Sequence, residues 1–100
     1  MQKKVFTPEE LFALVKPIED KYQIREIYLF GSYARGEADE ESDLDFLVYG
    51  GDKFKRTMIF AFAEELREIL KKDVDVFEIH EVNQESDFYK TILKERVLVA

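Results

Sequence analysis

One hundred residues are enough for one domain and too few for two separate cores. The chain is 46% hydrophobic with nine Phe and five Tyr, so a packed core is within reach, and four Gly with two Pro argue against long disordered stretches. A net charge of −7 opposes attachment to nucleic acid by phosphate neutralisation, yet leaves room for one nucleotide arriving with its own divalent cation.

Surface acidity of this kind also serves plain solubility. No stretch approaches the roughly 20 apolar residues of a membrane span. Met1 to Phe6 leads straight into a helix signal without the apolar centre of a leader peptide. With no cysteine there is neither a disulfide framework nor a thiolate metal site, and a reducing cytoplasm is the expected setting. Residues 1–100 are expected to form one domain.

The first helix signal is Thr7-Pro8-Glu9-Glu10: an N-cap, a proline at the first helical position and a capping box. Leu11, Leu14, Val15 and Ile18 then recur at helical spacing, which predicts an amphipathic helix over 8–22. Ile24 to Phe30, rich in β-branched and aromatic residues, predicts a strand ending at Gly31. Ser32 to Gly36 suits one short helical turn, and Glu37 to Ser42 forms an acidic loop.

Leu44 to Tyr49 predicts a second strand, stopped by Gly50-Gly51. A long helix is expected from about Phe54 to Leu70, with Ile59, Phe62, Ala63, Leu66, Ile69 and Leu70 buried and Lys71-Lys72 at the negative end of its dipole. Val74 to Ile79 alternates as a third strand. Asn83 or Ser86 caps a last helix bearing Phe88, Tyr89, Ile92 and Leu93, and Arg96 to Ala100 adds a short terminal strand. Together these predict an α/β (α+β) domain, a mixed sheet of three to four strands with helices packed against it.

The chemistry concentrates in Gly31-Ser32-Tyr33-Ala34-Arg35-Gly36 and Ser42-Asp43-Leu44-Asp45. Asp43 and Asp45, at i and i+2, point to the same face with Cα atoms about 6.5–7 Å apart. Carboxylates that close disfavour each other's ionisation unless a positive charge stands between them. Mg²⁺, which takes one or two carboxylates and completes its shell with water and phosphate oxygens, suits such a pair. Asp75 interrupts an apolar strand and joins the pair if the third strand lies beside the second. There it could hold metal or accept an acceptor's proton. Asp73 shares its face by parity, but sits where that strand would only be starting.

Gly31 permits close backbone approach after a strand, and the N–H groups of the following turn, with the Ser32 hydroxyl, suit an anion. Arg35 is a candidate for a triphosphate oxygen or, equally, a lock on the acidic loop. Taken singly, each feature has a plainer role: a turn, a solvated face, a surface ion pair, an edge-strand charge. Their order and spacing set them apart. His80 lacks a second nitrogen ligand and is expected to be structural or exposed. Lys53, Lys55 and Arg56 form a basic start to the long helix, either solvated or reaching phosphates.

Gly31-Ser32, ten residues, then Asp43-Leu44-Asp45 resembles the signature of the polymerase-β-like nucleotidyltransferase superfamily. The fuller motif through Gly36 is similar to its minimal branch, the MNT proteins of prokaryotes, over nearly the whole chain. The resemblance implies that Gly31 and Ser32 contact the triphosphate, that Asp43 and Asp45 bind two Mg²⁺, and that Asp75 is the third carboxylate. It implies ATP as substrate and, as partner, a HEPN-domain toxin that some members modify with AMP on a tyrosine. Larger relatives hold their acceptors with further domains, and 100 residues leave none here, so a partner protein is expected to supply the acceptor. The second class of function is a binding module that neutralises a toxin by covering it, its nucleotide site vestigial and its negative charge complementing a basic cleft.

Overall fold

The computed structural model describes residues 4–100. Helix α1 spans Pro8–Tyr22, and its capping box is complete. The Thr7 hydroxyl accepts from the Glu10 N–H at 3.1 Å, while the Glu10 carboxylate accepts from the Thr7 N–H at 3.0 Å. Gln23, left-handed at φ 55°, ends the helix and turns the chain into β1, Glu26–Phe30. Strand β2 covers Leu44–Tyr49, helix α2 Met58–Leu70 and β3 Val74–Glu78. A short 3₁₀ turn at Ile79–Glu81 follows, then α3 at Asp87–Glu95 and β4 at Val97–Leu98.

The four strands lie in the order β3-β2-β1-β4. β1 runs antiparallel to β2 and to β4, whereas β2 and β3 are parallel, joined by the α2 crossover. The mixed sheet expected from the sequence is therefore present. Side-chain parity divides its two faces. Ile27, Leu29, Leu44, Phe46, Val48 and Val74 pack beneath α1 and α2 in the larger core, where Tyr22 meets Phe62 edge-on at 5.9 Å. Phe30, Leu47, Ile79 and Ile92 form a smaller core on the other face, under α3. Among the described residues no helix is long and apolar enough to cross a membrane.

Several boundaries differ from expectation: β1 begins at Glu26 rather than Ile24, β3 ends at Glu78 rather than Ile79, and β4 covers Val97–Leu98 rather than Arg96 to Ala100. The long helix starts at Met58 rather than Phe54. Phe54 is instead buried against Gly50: a Cβ on residue 50 would stand 2.5 Å from its ring. The chain then tightens through bonds from Met58 N–H to Lys55 C=O and Ile59 N–H to Arg56 C=O before the helix begins. The aromatic anchor overrides the helical pattern there. At the other end α2 stops at Leu70 as expected, Lys71 takes the left-handed cap, and Lys72 turns inward. Ser86, rather than Asn83, caps α3, its hydroxyl accepting from the Tyr89 N–H at 3.1 Å.

Candidate active site

Antiparallel pairing of β1 with β2 sets Phe30 opposite Asp45, so the Gly31 turn leaves β1 beside the start of β2. Parallel pairing of β2 with β3 sets Asp45 opposite Asp75. Three of the expected residues thus converge through register alone. Asp43 lies two residues before Asp45, just ahead of the strand, and is exposed, as is Asp75; Asp45 is half-buried. Asp73 ends up structural in its backbone, its carbonyl accepting from the Leu44 N–H at 3.1 Å.

The electrostatics follow from that packing. Burial is the largest influence on Asp45, and the charges of Asp75 and then Asp43 add to it; the carboxyl is pushed up from 3.8 to about 6. A hydrogen bond with Asp75 acts in the same direction, and Arg35 pulls weakly the other way. No cationic side chain among the described residues forms an ion pair with any of the three carboxylates. Among the described residues no three His, Cys, Asp or Glu side chains form a ready metal-ligand cluster. The arrangement is a register-paired couple of carboxyls, Asp45 and Asp75, with a third acid, Asp43, nearby. An all-oxygen, anionic donor set whose half-buried member resists ionisation fits a hard divalent cation.

The Gly31 turn is equally constrained. Gly31 has φ 76°, and a Cβ there would lie 2.5 Å from Asp45 Oδ2, so turn and carboxylate fit only because residue 31 lacks a side chain. The segment closes as one helical turn, Arg35 N–H to Gly31 C=O at 3.1 Å, followed by Glu37 N–H to Ser32 C=O at 2.9 Å. The Ser32 hydroxyl has no hydrogen-bond partner among the described residues. Arg35 is occupied: its Nε donates to Glu37 at 2.6 Å and its Nη1 to Glu95 at 3.2 Å. It ties the acidic loop to the end of α3, the second of its two expected roles.

Sequence reasoning did not single out Lys72. Its side chain is 6% exposed, and its ammonium donates to the Glu40 carbonyl at 2.8 Å, anchoring the loop that leads to Asp43. A lysine pair after a helix gives no hint of such a tie, because the partner lies 32 residues earlier. Lys53, Lys55 and Arg56 follow the far end of β2, away from the Gly31 turn, and His80 is an exposed ring held by Glu78 Oε1 at 2.8 Å.

A helix-flanked mixed sheet with register-paired aspartates beside a strand-terminal glycine is the architecture of a nucleotidyltransferase. Residues 13–100 match the family model described as polymerase beta, nucleotidyltransferase, and the chain belongs to that family. Protein adenylyltransferase MntA of Thermococcus cleftensis is 33% identical to it over 99 residues, 95% of this chain and 98% of that protein. A crystal structure of a toxin–antitoxin pair with AMP-PNP contains a chain that superimposes with a TM-score of 0.74 at 21% identity, over 89% of this chain and 72% of the other. The complex of tri-AMPylated Shewanella oneidensis HEPN toxin with MNT antitoxin gives a TM-score of 0.70 at 18% identity, over 94% and 72%. At these identities the two structures speak for the fold alone.

Proposed function

We propose that this chain transfers AMP from ATP, with Mg²⁺, to a tyrosine of a HEPN-domain toxin and so acts as its antitoxin. The observation that carries the proposal is the in-register pair Asp45 and Asp75, with Asp45 packed against the Gly31 turn. Its support from relatives is the adenylyltransferase at 33% identity. The AMP-PNP and AMPylated-toxin complexes belong to proteins of the same fold.

In this proposal the Ser32 hydroxyl and the N–H groups of the turn bind the triphosphate. Asp43, Asp45 and Asp75 hold the cation, which supplies charge neutralisation at the entering and leaving oxygens. Arg35, whose charge already reaches Asp45, exchanges Glu37 for a triphosphate oxygen. Asp75, exposed at the site's edge, takes the proton of the attacking phenol. The phenol oxygen bonds to the α-phosphorus, the bond from that phosphorus to the α–β bridging oxygen breaks, and pyrophosphate leaves with the electron pair.

A second reading, neutralisation by direct cover, is favoured by Phe60, 80% exposed on α2, and Phe12 on α1, which leave apolar surface for a partner. The deciding experiment incubates the protein with α-³²P-ATP, Mg²⁺ and the HEPN-domain protein of the same genome. Label on a tyrosine, absent with Asp43→Asn/Asp45→Asn, is the expected result. A stable complex that takes no label from any NTP would replace transfer with cover.

A further inference from the structure

The sheet face that carries Asp45 and Asp75 carries aromatic rings as well. Phe30 stands opposite Asp45, and Phe77 lies two residues beyond Asp75 on the same face. Phe88, in the first turn of α3, closes on both. Ring centroids are 5.9 Å apart for Phe30–Phe77, 5.8 Å for Phe30–Phe88 and 5.7 Å for Phe77–Phe88, with the two Phe88 pairs edge-to-face. Phe30 is buried by this packing, whereas Phe88 remains 47% exposed. It is a ring fixed on two sides and open on a third, over the sheet face that carries Asp45 and Asp75.

We propose that Phe88, seated on Phe30 and Phe77, is the surface on which the acceptor's aromatic ring docks, selecting a phenol over an aliphatic hydroxyl. This rests on the proposed transfer to tyrosine, and the bonds made and broken are those given there. Phe88 itself touches both Phe30, next to the Gly31 turn on β1, and Phe77 on β3, and two further observations favour the acceptor over the nucleotide's base. Asp75 is the exposed carboxylate of the register pair, so a hydroxyl reaching it arrives along the Phe77 flank. A neutral ring bearing a hydroxyl donor also suits an apolar wall that ends in carboxylates, since the wall takes the ring and the acid takes the proton.

The platform is rigid enough for the task. Ser86 caps its helix, Ile92 is buried beneath it, and the Tyr89 hydroxyl meets that of Tyr49 at 3.3 Å. Such anchoring places the ring without ordering it anew at each encounter.

The test uses the full chain and, as acceptor probe, an amidated pentapeptide of one tyrosine between two pairs of lysines. The matched peptide with alanine for tyrosine is the control. Binding is followed on the ¹³C–¹H ring signals of Phe88 in the presence of Mg²⁺ and α,β-methylene-ATP, and AMP transfer is measured separately with ATP. Phe88→Ala and Phe88→Leu are expected to raise the peptide KM about three- to tenfold, the worth of one aromatic pair, with kcat within about twofold. Phe88→Trp keeps the wild-type KM, and none of the three changes the Kd of the nucleotide analogue. Only the tyrosine peptide shifts the Phe88 ring. An unchanged KM in Phe88→Ala, a weakened nucleotide Kd, or a silent Phe88 ring overturns the docking surface. A shifted ring without any transfer by the wild type instead removes the transfer reading and leaves the surface standing.

Discussion

The Oδ2 atom of Asp45 lies 2.5 Å from the point that a Cβ on residue 31 would occupy, so the Gly31 turn and the Asp45 carboxylate share one volume. Gly31→Ala must both strain a backbone at φ 76° and rotate Asp45 away. The expected cost is about 2 kcal/mol, a melting shift of roughly 8–16 °C for a domain of this size. Nucleotide binding in calorimetry is lost with it. Gly36→Ala is the matched control, with a similar φ of 72° and nothing within 4 Å of its added Cβ. It costs only the backbone strain, about 1 kcal/mol, and spares nucleotide binding.

Asp45 makes the metal-free protein less stable as pH rises. Its folded-state pKa of about 6 stands above the ordinary 3.8, so between those values the folded chain holds a proton that the unfolded chain has released. Stability from this group is therefore full below about pH 4, falls through the window to about pH 6 and is flat above it. Because solvent reaches the half-buried carboxyl, the discounted effect is about 1 kcal/mol. Glu10 and Glu65, lowered chiefly by Lys4 and Lys21, act in the opposite direction, so the quantity to measure is the difference from Asp45→Asn. Thermal melts in chelator from pH 4 to 7.5 should show the wild type falling further below the variant as pH rises, and Mg²⁺ at pH 7.5 should raise the wild type's melting temperature but not the variant's.

Arg35 is shared between Glu37 and Glu95, and its two partners give a way to separate its roles. Arg35→Ala is expected to change stability by less than about 1 kcal/mol, since the guanidinium is 43% exposed. If it also takes a triphosphate oxygen, ATP affinity falls about tenfold, the worth of one charge-assisted contact. Glu37→Ala frees the same guanidinium and should tighten ATP. Equal ATP affinity in all three proteins would confine Arg35 to fastening the loop.

Lys72 offers a test of loop placement apart from stability. Replacing its buried ammonium by Met removes the bond to the Glu40 carbonyl together with the cost of burying a charge, so the melting temperature should move little. Hydrogen exchange over residues 38–43 should accelerate nonetheless, and Mg²⁺ affinity should fall several-fold as Asp43 loses its fixed approach. Unchanged exchange in that loop would mean that the tie contributes nothing to order.

Most of the fold was legible because its determinants are local. Thr7 to Glu10 carries a complete capping box in four consecutive residues, and the apolar run Leu44 to Tyr49, stopped by Gly50-Gly51, declares a strand. The relation between Asp43 and Asp45 is likewise a matter of parity. What escaped were pairings with no local trace. Phe54 leaves the helical pattern because Gly50 makes room for its ring. Lys72 finds a carbonyl in the acidic loop, Glu95 reaches Arg35 from 60 residues away, and Phe88 meets two rings on strands far from it in sequence. Periodicity marks which side of an element is buried, but not which neighbour fills the space.

The parallel pairing of β2 with β3 governs the order in which the protein can be made. β1 and β2 meet as antiparallel neighbours and bring Gly31 against Asp45 early, while Asp75 is carried on a strand that reaches its place only by way of α2. Loop closure over that crossover must precede the last carboxylate's arrival. The three carboxyls therefore stand together only once α2 has carried β3 to the edge of β2.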